Sequence, residues 1–201
     1  MARKLALTRL ELKHQREALA RYSRFLPSLQ RRQQQLQIEV QRTSSQLHQQ
    51  KRELESLRAH FARYSSVLGD IAGLNVRATA EPIRVRTATI NVVGVRVPEF
   101  VDVEFADPEY SLFATAPWVD SVLASLREQS RRTAHLAVLE ERRAVLRHEL
   151  ARVIQRVNLF EKVKIPEAQT AIHKIRVHLG DEMAAAVGLA KMAKGRSVEL
   201  S

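Results

Sequence analysis

Seven histidines and two pairs of adjacent acids are the residues of this chain best suited to chemistry. A hydrolytic zinc centre on a helix wants two histidines four apart on one face, with a further ligand beyond them. His14, His48, His60, His135, His148, His173 and His178 supply no such pair. His173 and His178 are five apart, and no His-Glu-x-x-His occurs. The absence of cysteine removes thiolate nucleophiles, cysteine metal sites and disulfides together. Glu140–Glu141 and Asp181–Glu182 are adjacent, and neighbouring side chains on a helix point about 100° apart. They read as solvated or salt-bridged acids, not as an acid–base pair. No Gly-x-x-x-x-Gly-Lys, Gly-x-Gly-x-x-Gly or Gly-x-Ser-x-Gly is present. The two glycines of "LGDIAGLNV" (Leu68–Val76) fit a helix stop and a turn. The expectation is a non-enzyme with no cofactor and no metal.

The punctuation of the chain divides it into three parts. Residues 1–68 contain no glycine and one proline, Pro27, and residues 118–165 contain neither, whereas residues 69–117 hold four of the six prolines. A first seam steps by seven through Leu5, Leu12, Leu19, Leu26, Gln33, Val40, Leu47, Leu54, Phe61 and Leu68. An apolar period of 3.5 sustained this long marks a coiled-coil seam. The companion positions mix Leu29, Leu36 and Leu57 with Thr8, Gln15, Tyr22, Thr43, Gln50 and Tyr64. Half of the seam is therefore polar, which disfavours a symmetric dimer. As a helix, 64 residues would extend roughly 95 Å. Pro27 predicts a local bend near Ser23–Pro27 or a break into two helices.

The last part carries a second seam: Leu136, Leu139, Arg143, Leu146, Leu150, Val153, Val157 and Phe160. Pro117 suits the first turn of its helix. Beyond Pro166 the seam resumes as Ile165, Ala168, Ile172, Ile175, Leu179, Ala186 and Leu189, offset by one residue. Continuing the earlier register would bury Lys164 and Lys174. Pro166 is thus expected to bend a continuous helix through a kink or an overwound turn, and not to end it. The simplest closure pairs the two long segments as an intramolecular antiparallel coiled coil; pairing with a second copy is the alternative. The expected organisation is a helix over 1–68, a turn, β-hairpin and connector over 69–117, a helix over 118–195 kinked near Pro166, and a tail over 196–201. In the middle part Ile83, Val85, Thr87 and Thr89 alternate with polar or small residues, as do Val95 and Val97 and then Val101, Val103 and Phe105. This predicts a short hairpin bounded by Pro82 and Pro98, with two strands or a third extended piece. Two strands alone are marginal in water, so the hairpin should pack on the coiled coil or on a partner.

Net charge is +11. Basic residues lie all round both helical parts, and aromatics are too sparse for stacking platforms, so no nucleic acid is expected as partner. No apolar run approaches the ~18 residues of a membrane span. A cytoplasmic protein without direct membrane insertion is expected.

Two stretches carry a family resemblance. "NVVGVRVPEF" (Asn91–Phe100) resembles the Asn-x-x-Gly-Val-x-x-Pro-Glu segment of the D subunit of V-type and A-type rotary ATPases, through Asn91, Gly94, Val95, Pro98 and Glu99. "RVNLFEKVKIP" resembles that family's Arg-Val-Asn-x-x-Glu-x-x-x-Ile-Pro run, through Arg156, Val157, Asn158, Glu161, Ile165 and Pro166. Phe25–Leu26–Pro27 and "NLFE" depart from the commoner pattern and resemble a divergent bacterial branch. The resemblance implies a non-catalytic central-stalk shaft, peripheral to a membrane. It would carry torque between the hexamer of catalytic and non-catalytic subunits and the ion-translocating ring. Its lower end would meet the small F subunit and the funnel subunit on the ring. The small-residue stretch Asp181–Gly195, with Met183, Ala186, Leu189 and Met192, would form the tip inside the hexamer collar; the alternative is a fraying helix end. A stalk protein of flagellar-export ATPases is the competing reading, but that family is a plain helical hairpin, so the β-like segment 83–105 argues against it. A nucleic-acid-binding coiled coil comes third.

Overall fold

The computed structural model describes residues 5–65, 79–107 and 118–199, with the side chains of 64–65 and 195–199 left aside. Along the chain come α1 (Arg9–Ser65), β1 (Pro82–Val92), β2 (Val95–Phe105), α2 (Trp118–Leu159), a π-helical turn (Phe160–Lys164) and α3 (Ile165–Glu199). The expected turn at Leu68–Val76, the helix start at Pro117 and the last two residues lie outside the described residues. The architecture is a long N-terminal helix, a two-stranded antiparallel hairpin and a long C-terminal helical segment, in that order.

Thr8 caps α1. Its Oγ1 accepts the Glu11 N–H at 3.2 Å, and its carbonyl accepts the Leu12 N–H at 3.0 Å. The spacing Thr8-x-x-Glu11 is that of a capping box, which satisfies amide donors that have no helical partner. Leu5 precedes the helix and is half-buried. Pro27 lies inside α1, which continues through it, so the break into two helices does not occur.

The chain divides into two compact units, residues 1–33 with 152–201, and residues 34–151. In the first, Ala18, Val153, Val157, Ala168, Ile172 and Ile175 are buried, and the Tyr22 and Phe160 rings meet at 5.2 Å. Leu12, Leu19, Leu26, Leu29 and Leu179 are half-buried. In the second, Leu47 and Leu54 of α1 pack with Leu136 and Leu139 of α2, and Leu36, Val40 and Leu146 are also buried. Leu57, Phe61 and Leu150 are half-buried. Thr43 sits in this seam at 1 % exposure, and its hydroxyl donates to Glu39 O of its own helix at 2.8 Å. The buried polar group is satisfied locally and asks nothing of the opposite helix. A satellite core joins Ala80, Val119, Val122 and Leu123, flanked by Phe61, Trp118 and Leu126.

Candidate functional site

The two motif segments build local backbone devices, one in each unit. Asn91–Phe100 spans the hairpin turn. Val92 pairs with Val95, leaving Val93 and Gly94 as a two-residue loop with φ of 53° and 76°. Positive φ at both central positions is the signature of a type I′ turn, whose twist matches the flanking strands. Gly94 adopts it without a Cβ penalty. Val93, β-branched, adopts it at a cost. Pro98 does not bound the paired region as expected. It lies inside β2 opposite Thr89, and each strand of a two-stranded sheet keeps an outer edge on which a missing donor is tolerated. Val101 is the extra residue of a bulge between the Phe100 and Asp102 pairings, so the two valine runs of the sequence are one strand. Among the described residues there is no third strand.

The hairpin is seated on α2 through β2. Phe100 stacks on His135 with ring centroids 4.8 Å apart. Arg127 lies over the Phe105 ring at 5.4 Å and donates from Nη2 to Ala106 O. Asp102 Oδ1 is 3.5 Å from Arg131 Nη2, and Arg86 bridges Asp102 at 3.4 Å and Glu104 at 3.2 Å. The Val103 amide, with Arg131 and Arg86 behind it, holds the Asp102 carboxyl below the usual range. Burial, with Arg132 adding to it, pushes the His135 pKa down. By contrast, Pro82–Thr89 of β1 are all exposed. Below the seat, Arg132 bridges Glu53 of α1 and Glu128 of its own helix, while Lys51 meets Glu140 at 2.7 Å. Hydrogen bonds from Gln49 and Arg132 lower the Glu53 pKa, and the bond from Lys51 lowers that of Glu140.

The second motif builds the π turn. Ile165 N–H donates to Phe160 O, five residues back instead of four. Such a turn holds one residue more than an α turn. The seam therefore re-enters one residue late: Leu139, Leu146, Val153 and Val157 are buried before it, and Ala168, Ile172 and Ile175 after it. The helix continues through Pro166 as expected, and of the two alternatives the overwound turn does not form: the turn is widened. Pro166, second in α3, supplies no N–H, so an ordinary α turn at this point would lack a donor. Arg156, Glu161 and Pro166 are exposed, Asn158 and Ile165 half-buried, and Val157 buried. Asn91, Gly94 and Glu99 are exposed, Val95 and Pro98 half-buried.

These residues do not assemble a catalytic centre. Among the described residues no group of three or more His, Cys, Asp or Glu could hold a metal ion. His178 Nε2 stands 3.3 Å from Glu182, and His14 3.9 Å from Glu11. The adjacent acids separate: Glu140 pairs with Lys51, whereas Glu141 is exposed. No described helix is long and apolar enough to cross a membrane.

What the fold does present is exposed helix surface. Residues 180–194 of α3 are all exposed, including Met183 (53 %), Ala186, Leu189 (69 %) and Met192 (72 %). Ala186 and Leu189, expected on the seam, are therefore outside it. Within this unit α1 and α3 run antiparallel, with Arg16 and Leu19 beside Ile172 and Arg176, and α1 starts at Arg9. The end of α3 has no α1 left opposite it.

The sequence profile of the ATP synthase D-subunit family matches residues 11–195. The D subunit of the V-type ATP synthase of Borreliella burgdorferi is 32% identical over 199 residues, covering 98% of this chain and 96% of that protein. Its counterpart in the V-type ATP synthase of Chlamydia abortus is 33% identical over 198 residues (96% and 94%), and that of Chlamydia felis 32% over 201 (96% and 94%).

Proposed function

The chain belongs to the ATP synthase D-subunit family, and on that premise we propose that it is the shaft of the central stalk of a V-type rotary ATPase. In this reading it is a non-catalytic subunit that carries torque between the ATP-turning hexamer and the membrane ring that moves ions. The observation that carries the reading is the contrast along α3. Its seam is buried up to Ile175, yet residues 180–194 leave a helix surface with exposed methionine and leucine side chains. A helix end of that kind, rich in alanine and glycine, suits a collar in which it turns without being gripped. The four tip residues Met183, Ala186, Leu189 and Met192 are assigned to this contact.

Torque transfer needs helices that resist shear along their seam and present different faces to successive sites. The antiparallel seams supply the first, and the unlike sequences of α1 and α3 the second. Each catalytic site would then meet a different surface at each angle, and differential contact shifts its conformational population. The partners in this reading are the catalytic and non-catalytic subunits around α3, and the small F subunit and the funnel subunit at the opposite end. The seam residues from Leu12 to Phe61 and from Leu146 to Leu179 hold the pair together, and the two motif segments set its turn and its register shift. The protein would stand peripheral to the membrane. A tagged chain is expected to co-purify with the ATP-hydrolysing hexamer, and a chain truncated after Leu179 to do so poorly. Full-length chain that never recovers the hexamer would refute the proposal.

A further inference from the structure

A π turn is one residue inserted into an α-helix, and such insertions gather at functional positions. Here the packing on both sides has already absorbed the insertion. Val153 and Val157 are buried before it, Ala168, Ile172 and Ile175 after it. Removing one residue between Phe160 and Lys164 would restore α geometry and bring all five into a single unbroken seam. The apolar seam alone therefore does not call for the π turn, although Pro166 just after it favours a departure from α geometry.

Its effect falls on the surface. Leu159 and Val163, four apart and so on one helical face, are 43 % and 39 % exposed. Val163 itself lines a groove with Lys162, Lys164, Thr170 and Lys174, with Gln15 of α1 also lining it. Three lysines meet one lining carboxylate there, Glu167, which stands 3.1 Å from Lys164 Nζ. The surrounding unit, residues 1–33 and 152–201, has 18 Lys and Arg against 7 Asp and Glu, a net +11, whereas residues 34–151 have 15 of each. The whole net charge of the chain thus belongs to the unit that carries the π turn.

We propose that the π turn is also a docking bulge, which receives an acidic segment bearing an apolar residue from a subunit surrounding the helix pair. The apolar residue meets Leu159 and Val163, and the carboxylates meet Lys162 and Lys174. This rests on the shaft reading and deepens it by naming the place and the chemistry of one contact. Exposed charges of this kind steer encounter and make it salt-dependent.

The test uses the full chain, a variant lacking Val163, and the double variant Lys162→Glu/Lys174→Glu. Thermal melts are recorded on each chain alone, and each is titrated against the assembled catalytic hexamer at low and physiological salt. The double variant should melt close to the parent, and the deletion lower, because it leaves Pro166 inside an α turn. Each should bind the hexamer about tenfold more weakly, and the double variant should lose most of the salt dependence. Variants that melt and bind like the parent would overturn the docking bulge and leave the shaft reading standing. Should the deletion unfold the chain, the double variant decides alone, and parent-like binding by it would overturn the contact. A parent chain that does not bind the hexamer would overturn the shaft reading and this inference together.

Discussion

The two units answer the same problem, an antiparallel helix pair, with opposite electrostatics. Residues 34–151 are neutral and knit themselves together, through Lys51–Glu140, the Arg132 bridge to Glu53 and Glu128, and the Arg131–Asp102–Arg86 seat of the hairpin. Residues 1–33 and 152–201 hold a net +11. There the pairs Lys164–Glu167, His178–Glu182 and His14–Glu11 each run within one helix. Self-repulsion of that size disfavours a compact unit by itself. On the shaft reading, an acidic partner surface would offset it. The neutral unit balances its charges within itself, and on the shaft reading the excess of the basic unit is what a partner would meet.

The largest expected effect treats the units alike, because seam burial does. Leu146 and Ile175 are both 0 % exposed, and Leu146→Ala or Ile175→Ala should each cost about 2–5 kcal/mol of stability in denaturant unfolding. A negligible loss for Ile175→Ala with a full loss for Leu146→Ala would mean that the basic unit is not packed when free, and would break the comparison there. Next come the turn residues of the neutral unit. Gly94→Val forces a second β-branched residue to positive φ and should lower stability by about 1–2 kcal/mol, whereas Val93→Asn should raise it by up to ~1 kcal/mol.

Acid should act on the neutral unit through identified groups. The folded pKa values of Glu53, Asp102, Glu140 and His135 are all lowered. A lowered folded pKa contributes stability that is present above the unfolded value and lost as pH falls through the folded one. Loss should therefore begin below the ordinary 6.5 of histidine and deepen below the ordinary 4.5 and 3.8 of the carboxylates. Urea midpoints across that range report it. His135→Leu should remove the upper part of the slope, and Glu53→Gln with Glu140→Gln much of the lower part. An unchanged slope in those variants would mean that the groups are not what acid attacks. The smallest effect is expected at the end of α3. Leu189→Ser and Met192→Ser should change stability by no more than about 0.5 kcal/mol while weakening recovery of the hexamer.

The seams were legible because an apolar period of 3.5 needs no tertiary information, and the alternation of Ile83 to Thr89 marked the hairpin for the same reason. The one-residue offset beyond Phe160 was also legible. Its geometry was not: a register shift can be taken up by a widened or a tightened turn, and only the Ile165-to-Phe160 hydrogen bond distinguishes them. The Phe100–His135 stack joins residues 35 apart in sequence, and nothing local in either residue announces the other. Val93 at positive φ runs against its own propensity, so only the register Val92 to Val95 reveals it. Ala186 and Leu189 kept the seam period past the point where α1 has begun. Periodicity says which face is apolar, not whether a helix lies opposite it.

Whether this chain links ATP turnover to ion movement is decided by reconstitution. Vesicles bearing the complete complex, and vesicles whose complex lacks only this chain, are given ATP while ion uptake and hydrolysis are followed together. Uptake is expected only with the chain present, and is expected to be lost without it even where hydrolysis continues. ATP-driven uptake of equal rate in its absence would contradict the shaft reading.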